Sequence, residues 1–232
     1  MGGGTALWGG FSSFFSIWQL CILQFSPFFL VFIVGIYFST PDRETDRRVL
    51  YWTIPPCIAF TLSFTLLYSL LIASGLNLSR PLVNNLGGLR MLSGFLILLA
   101  SLYIFLNTRL SSLGRFHRPA PLSVLSLIIG VTFALMYSPC ITPMLSDIMG
   151  LASQRSTALE GWYLAFFYGL GTSIATCAVS VALIGLLGRR SMVMRNARRI
   201  ADACGVVLLA LAIMNIFGLM TYYKAFLLGL AL

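Results

Sequence analysis

Six long runs without a charged residue divide this chain, and they constrain its fold more than any other feature. Each run approaches or exceeds the ~20 apolar residues that an α-helix needs to cross ~30 Å of hydrocarbon. Only 9% of the residues are charged, whereas a soluble domain carries about 25%. The runs therefore predict an all-α integral membrane protein. They cover residues 1–41, 49–79, 91–108, 119–146, 161–188 and 203–223.

We predict one membrane domain over residues 1–232, with six transmembrane helices. The glycines in the first ten residues predict a flexible or interfacial start. Residues 222–232 form an apolar tail that is too short to cross the membrane again. The helices are placed at about 16–38, 52–75, 87–107, 122–145, 162–187 and 200–221.

The basic residues predict the orientation of these helices. Eleven of the fifteen Lys and Arg residues lie in the loops after helices one, three and five. Cytoplasmic loops carry the excess of positive charge, so both chain termini are expected on the extracytoplasmic side. Short clusters at helix ends suit the headgroups of a lipid bilayer, and they argue against a nucleic-acid partner, which would require a basic face.

The segment Tyr137-Ser138-Pro139-Cys140-Ile141-Thr142-Pro143 is the main candidate site. Each proline removes a backbone donor and clashes with the preceding helical turn. Two prolines should interrupt the fourth helix, and irregular backbone survives inside a membrane only where protein buries it or a cavity faces it. A free cysteine is often a small buried residue. Its position between two prolines favours a functional thiol at Cys140.

The two halves of the chain resemble each other. Ser26-Pro27 in helix one corresponds to Ser138-Pro139 in helix four, and similar short matches join helix two to helix five and helix three to helix six. Because each half has three helices, the repeats should run in opposite directions through the membrane. Inverted repeats place a shared site between broken helices near the midplane. Repeat one is predicted at about 16–107 and repeat two at about 122–221.

Residues 24–217 resemble the CcdA/DsbD family of membrane thiol–disulfide reductases, most specifically at Tyr137–Leu145. The resemblance implies that a thiol in helix one and a thiol in helix four carry reducing equivalents across a prokaryotic cytoplasmic membrane, between thioredoxin-like partners on either side. It assigns one redox thiol to Cys140, with Pro139 and Pro143 shaping its site. At the first motif, Pro27 is present, but Phe28 stands where the family has its cysteine.

A dithiol relay needs two sulfurs that can come within bonding distance. Four other cysteines are candidates for the partner of Cys140. Cys21 shares helix one with the altered motif, and Cys57 follows Pro55-Pro56, which predicts a helix break of its own. These two are possible resolving thiols. Cys177 and Cys204 are expected to be small residues packed between helices.

Three function classes remain open. The resemblance favours a thiol–disulfide relay, with cytochrome c maturation as its expected role. Loss of the first motif cysteine favours a redox-inactive subunit that packs in a larger membrane electron-transfer complex. Broken helices also occur in small-solute transporters, but no charged residue lies mid-membrane to bind an ion. No cofactor is expected, and His117 as the single histidine excludes a metal site built from several histidines.

Overall fold

The computed structural model describes an all-helical chain over residues 2–15, 20–39, 46–73, 86–109, 119–136, 143–154, 156–188, 195–219 and 222. At positions 20–28, and at several helix ends, it describes the backbone alone. Eight helices follow one another in these residues. They are α1 (Gly3–Phe15), α2 (Leu20–Ser39), α3 (Asp46–Ala73), α4 (Leu86–Arg109), α5 (Pro119–Met136), α6 (Pro143–Ser153), α7 (Ala158–Gly188) and α8 (Ala197–Ile216).

Four of the described helices are long and apolar enough to cross a membrane. These candidate spans are Thr53–Ile72, Met91–Arg109, Ala158–Leu187 and Ala197–Ile216, and they lie where helices two, three, five and six were predicted. Three shorter apolar segments, Phe29–Ser39, Ser123–Ala134 and Met144–Ser153, belong to α2, α5 and α6. The predicted first helix, at about 16–38, corresponds to α2, and α1 precedes it; the predicted fourth helix, at about 122–145, covers α5 and the first residues of α6.

The start of the chain, expected to be flexible or interfacial, forms the helix α1, which packs into the bundle along α7. Ala6 is fully buried, and Gly10 lies so close to α7 that a Cβ atom there would overlap the carbonyl oxygen of Tyr168. Gly171 of α7 approaches the carbonyl oxygen of Leu7 in the same way. Small residues let two helix backbones approach closely within a membrane, and the resulting close packing outweighs the poor helix propensity of glycine.

Two further expectations about proline are not met by the described backbone. Helix α2 runs without interruption from Leu20 to Ser39, through Pro27. Helix α3 likewise runs through Pro55 and Pro56, so Cys57 does not follow a break. Prolines are tolerated inside membrane helices where neighbouring helices satisfy the freed backbone groups. Helix α5, in contrast, ends at Met136, and α6 begins at Pro143, a favoured first position because its missing N–H has no helical partner.

Helix α3 lies at the centre of the packing, against α5 on one side and α7 on another, while α8 packs against α4 and α2. The outer face of α3 carries large apolar side chains at every fourth position, as expected of a surface that meets lipid. They are Ile54, Ile58, Leu62, Leu66 and Leu70.

Hydrogen bonds between helices join α4 to α8 along their length. Asn215 donates from Nδ2 to Ser93 Oγ at 2.7 Å, and Ser101 donates to the carbonyl oxygen of Gly205 at 2.8 Å. Near the opposite end, Thr108 donates to Asp202 Oδ1 at 3.1 Å. Because residues early in α4 meet residues late in α8, the two helices are antiparallel.

Candidate thiol site between two central helices

Small polar residues face one another where α3 and α7 meet. On α3 they are Cys57, Thr61 and Thr65, spaced by four residues, and on α7 they are Ser173 and Cys177, also spaced by four. A four-residue spacing places side chains on one face of a helix. Thr65 Oγ1 and Ser173 Oγ lie 3.4 Å apart, which fixes the antiparallel register of the two helices.

This register brings Cys57 against Cys177. The Cys177 thiol donates to the carbonyl oxygen of Cys57 across 3.7 Å, so the Cys177 sulfur lies against the backbone of Cys57. Thr61 Oγ1 is a second neighbour of the Cys177 sulfur, also at 3.7 Å. Cys57 is buried, Cys177 is partly buried, and both are free thiols. Two thiols on facing helices are the arrangement from which a disulfide can form.

The thiol pair lies at the floor of a groove that opens between α3 and α7. The α3–α7 groove has a volume of about 740 Å³, with Cys57, Thr61 and Cys177 at its floor and Ile58, Leu62, Ile174 and Ala178 among its walls. Its lining contains no charged side chain. Both helices that form the groove are candidate membrane spans.

An aromatic cluster fills the centre of the bundle further along α3. Phe29 of α2 stacks on Phe60 with ring centroids 3.9 Å apart, and Phe133 of α5 meets the edges of Phe60 and Phe64. Tyr68 and Tyr168 stack at 6.4 Å and extend the cluster to α7. All of these aromatic side chains are buried. Tight aromatic packing holds α2, α3, α5 and α7 in fixed relative positions.

The predicted site residues fall into three groups. Pro139 and Cys140 lie outside the described residues. Cys21, Pro27 and Phe28 lie in the helical backbone of α2, and Pro143 is the first residue of α6. Cys57 is placed beside Cys177, a neighbour that was expected to be only a packing residue.

Helix α6 begins at the level of the two stacked tyrosines. Met144, the second residue of α6, packs over Gly9 of α1, and the adjacent Gly10 packs on Tyr168. Cys57 lies eleven residues from Tyr68, and Cys177 lies nine residues from Tyr168. At 1.5 Å per residue, the thiol pair is about 13–16 Å along the helices from that level. The Cys57–Cys177 pair and the first residues of α6 therefore lie at different levels of the bundle.

Sequence reasoning missed the contact between Cys57 and Cys177. The sequence does contain the four-residue spacing of Cys57, Thr61 and Thr65, which predicts that the three side chains share one helix face. It does not indicate which helix packs against that face, or in which register. Cys204 follows the expectation for a packed small residue, since its Cβ atom lies over Gly35 of α2. Among the residues that the structure describes, no three His, Cys, Asp or Glu side chains come together as a group able to hold a metal ion.

Comparison with known proteins supports the family resemblance. The chain is 26% identical to the cytochrome c-type biogenesis protein CcdA of Halalkalibacterium halodurans, over 96% of this chain and 93% of that protein. It is also 26% identical, over 39% of its length, to a putative cytochrome c-type biogenesis protein of Haemophilus influenzae, of which the match covers 43%. No protein-family model and no solved structure matches the chain.

Proposed function

We propose, from the similarity to CcdA along nearly the whole chain, that this protein is a membrane thiol–disulfide relay acting in cytochrome c biogenesis. It takes reducing equivalents from a thioredoxin-like donor in the cytoplasm and passes them to a thioredoxin-like acceptor on the other side of the membrane. Cys140 is the reacting thiol. The intact segment Tyr137–Pro143 is the sequence feature that supports this role.

In the half-reaction with the oxidised acceptor, the Cys140 thiolate attacks one sulfur of the acceptor disulfide, and the second acceptor sulfur leaves as a thiol. A second thiol must then attack the mixed disulfide to release the partner. This leaves the relay oxidised by two electrons, as a disulfide. The cytoplasmic donor then reduces that disulfide by the same kind of thiol–disulfide exchange. The relay therefore needs a resolving thiol, supplied either by this chain or by a partner.

An inverted repeat belongs to this proposal, and matched glycine contacts support it. Gly10 of α1 packs on the carbonyl of Tyr168 in α7, and Gly130 of α5 packs on the carbonyl of Phe60 in α3. Each contact joins the first helix of one half to the long central helix of the other half. Exchange of the two halves converts one contact into the other, as an inverted repeat requires.

This correspondence changes the register expected from sequence. The matched glycine contacts align α1 with α5. The segment that follows Phe15 in the sequence is then aligned with the segment that follows Met136. Ser16-Ile17-Trp18-Gln19 then corresponds to the segment around Cys140, in place of Phe25-Ser26-Pro27-Phe28. That segment also lacks a cysteine. Cys21 is the next cysteine along the chain, which makes it the preferred resolving thiol within this protein.

The test is a set of serine substitutions in cells whose own relay has been deleted. Cys140→Ser should abolish holocytochrome c, detected by haem staining, and should leave the acceptor protein oxidised. Cys21→Ser should give the same loss if Cys21 resolves, and should accumulate a trapped partner adduct through Cys140. Cys204→Ser is the matched control and should leave both readouts unchanged.

A redox-inactive subunit of a larger membrane complex is the second candidate. The specific observation in its favour is that neither Phe28 nor residues 16–19 supplies the first thiol of the family motif. If Cys140→Ser leaves holocytochrome c and the redox state of the acceptor unchanged, the relay is refuted and this second function takes its place.

A further inference from the structure

We propose that Cys57 and Cys177 form a redox-active thiol pair that exchanges two electrons with a lipid-soluble quinone bound in the α3–α7 groove. This proposal goes beyond the relay and does not depend on Cys140. It rests on three features that occur together: two free cysteines joined by the hydrogen bond from the Cys177 thiol to the Cys57 carbonyl oxygen, an uncharged groove that both line, and a location inside candidate membrane spans.

The contact between the thiols is specific. The Cys177 S–H group points at the backbone of Cys57, and Thr61 approaches the same sulfur from one helical turn further along α3. The hydrogen bond between Thr65 and Ser173 holds the two helices in this register. Closure of a disulfide would require the Cys177 side chain to turn from the carbonyl oxygen of Cys57 to its sulfur, within the existing pairing of the two helices.

The surroundings restrict what can react with this pair. Ile58, Leu62 and Ile174 are exposed on the bundle surface around the groove, and no charged residue lines it. A folded water-soluble thiol–disulfide protein cannot enter hydrocarbon to reach the floor. A small ring carried on an apolar tail can, and a volume of about 740 Å³ is in the range of small-molecule sites.

The two thiols favour a quinone over a lipid acyl chain as the ligand, because an acyl chain has no group that can accept electrons from thiols. In the reaction, two S–H bonds break and one S–S bond forms between Cys57 and Cys177. Both electrons and both protons pass to the two carbonyl oxygens of the quinone, which leaves as quinol. The Thr61 hydroxyl at the floor of the groove is placed to hydrogen-bond a quinone carbonyl.

The experiment uses the full-length reduced protein in lipid nanodiscs, with decylubiquinone as the probe. Quinol formation is followed by absorbance, and the remaining thiols are counted by maleimide labelling and mass spectrometry after denaturation. The wild-type protein should lose the Cys57 and Cys177 thiols as one quinol forms for each disulfide. Cys57→Ser and Cys177→Ser should abolish this reaction. Cys204→Ser and Cys140→Ser should leave it intact, which separates it from the relay.

A second variant tests whether the groove is the route. Ala178→Phe fills the groove from its wall and should slow oxidation by decylubiquinone about tenfold or more, because the space for the ring is lost. Oxidation by diamide, a small water-soluble thiol oxidant, should be unchanged. Ala210→Phe, at an exposed position of α8, is the matched control and should behave as wild type.

Each remaining outcome overturns a defined part of the proposal. If diamide closes the disulfide and decylubiquinone does not, the groove is a contact for lipid chains and the quinone is refuted. If both thiols are still labelled by maleimide after treatment with diamide and after treatment with decylubiquinone, the redox pair is refuted. If Ala178→Phe reacts with decylubiquinone as fast as Ala210→Phe, entry through the groove is refuted.

Discussion

Gly10 of α1 lies directly on the backbone carbonyl of Tyr168 in α7, so closely that no side chain fits between the two helices. Thr172, one turn further along α7, donates to the carbonyl oxygen of Gly10 at 3.2 Å. The α1–α7 contact thus depends on the absence of a single methyl group, which makes it suitable for a direct test.

Gly10→Ala should destabilise the protein by about 1–3 kcal/mol, because an overpacked contact forces the helices apart. Glycine-to-alanine changes at open helical positions favour helix formation by about 1 kcal/mol. Gly4→Ala, where nothing lies within 4 Å, is therefore the matched control and should be neutral or stabilising. Thermal unfolding followed by size-exclusion chromatography in detergent measures both. Equal melting temperatures would contradict the packing of α1 on α7.

Gly130→Ala should be destabilising for the same reason at the α3–α5 contact, where a Cβ atom would meet Ser63 and the carbonyl of Phe60. If the two halves are equivalent, its effect should be of similar size to that of Gly10→Ala. Gly88→Ala, with open space around it, is the control. A destabilisation at only one of the two glycines would weigh against the proposed repeat.

The hydrogen bond from Asn215 to Ser93 should contribute a measurable coupling between α4 and α8. Both residues are buried inside the bundle. Hydrogen bonds between membrane helices contribute about 0.6 kcal/mol on average, and rarely more than about 1.7 kcal/mol. A double-mutant cycle of Asn215→Ala and Ser93→Ala in steric-trap or denaturant unfolding gives this value. A coupling energy near zero would show that the two side chains contribute independently.

Asp202 accepts a hydrogen bond from Thr108 across 3.1 Å. Asp202→Asn keeps an acceptor oxygen and should leave the melting temperature almost unchanged. Asp202→Ala removes the acceptor and should cost about 1.5–3 kcal/mol, the range for hydrogen bonds to charged groups. If Asp202→Asn is as harmful as Asp202→Ala, charge rather than hydrogen bonding is the important property.

The loops that contain Arg47, Arg115 and Arg195 should face the cytoplasm, with both termini outside, because these loops hold most of the basic residues. Single cysteines introduced at these positions in a cysteine-free background can be tested with a membrane-impermeant maleimide on intact cells. Labelling should appear only after the membrane is made permeable. Labelling of the residue 195 position in intact cells would reverse the orientation.

The charge-free runs predicted four long helices with ends within a few residues of those observed, because hydrophobic length is a local property. The packing of the first fifteen residues was not predicted, since the close contact of Gly10 with Tyr168 depends on a helix that is distant in sequence. The continuity of α3 through Pro55-Pro56 likewise depends on neighbouring helices. The pairing of Cys57 with Cys177 could not be predicted, because it follows from the register of two helices 120 residues apart.

Helix α7 has 31 residues, which corresponds to a length of about 46 Å, whereas the hydrocarbon core is about 30 Å thick. Its apolar stretch is too long to stand upright within that layer, so it must tilt or draw the surrounding lipid into a thicker layer. Trp162 and Tyr163, both exposed near its start, are suited to the headgroup region. The length of α7 therefore matches a thick bilayer better than a thin one. A thin membrane should strain α7, the helix on which Cys177 lies.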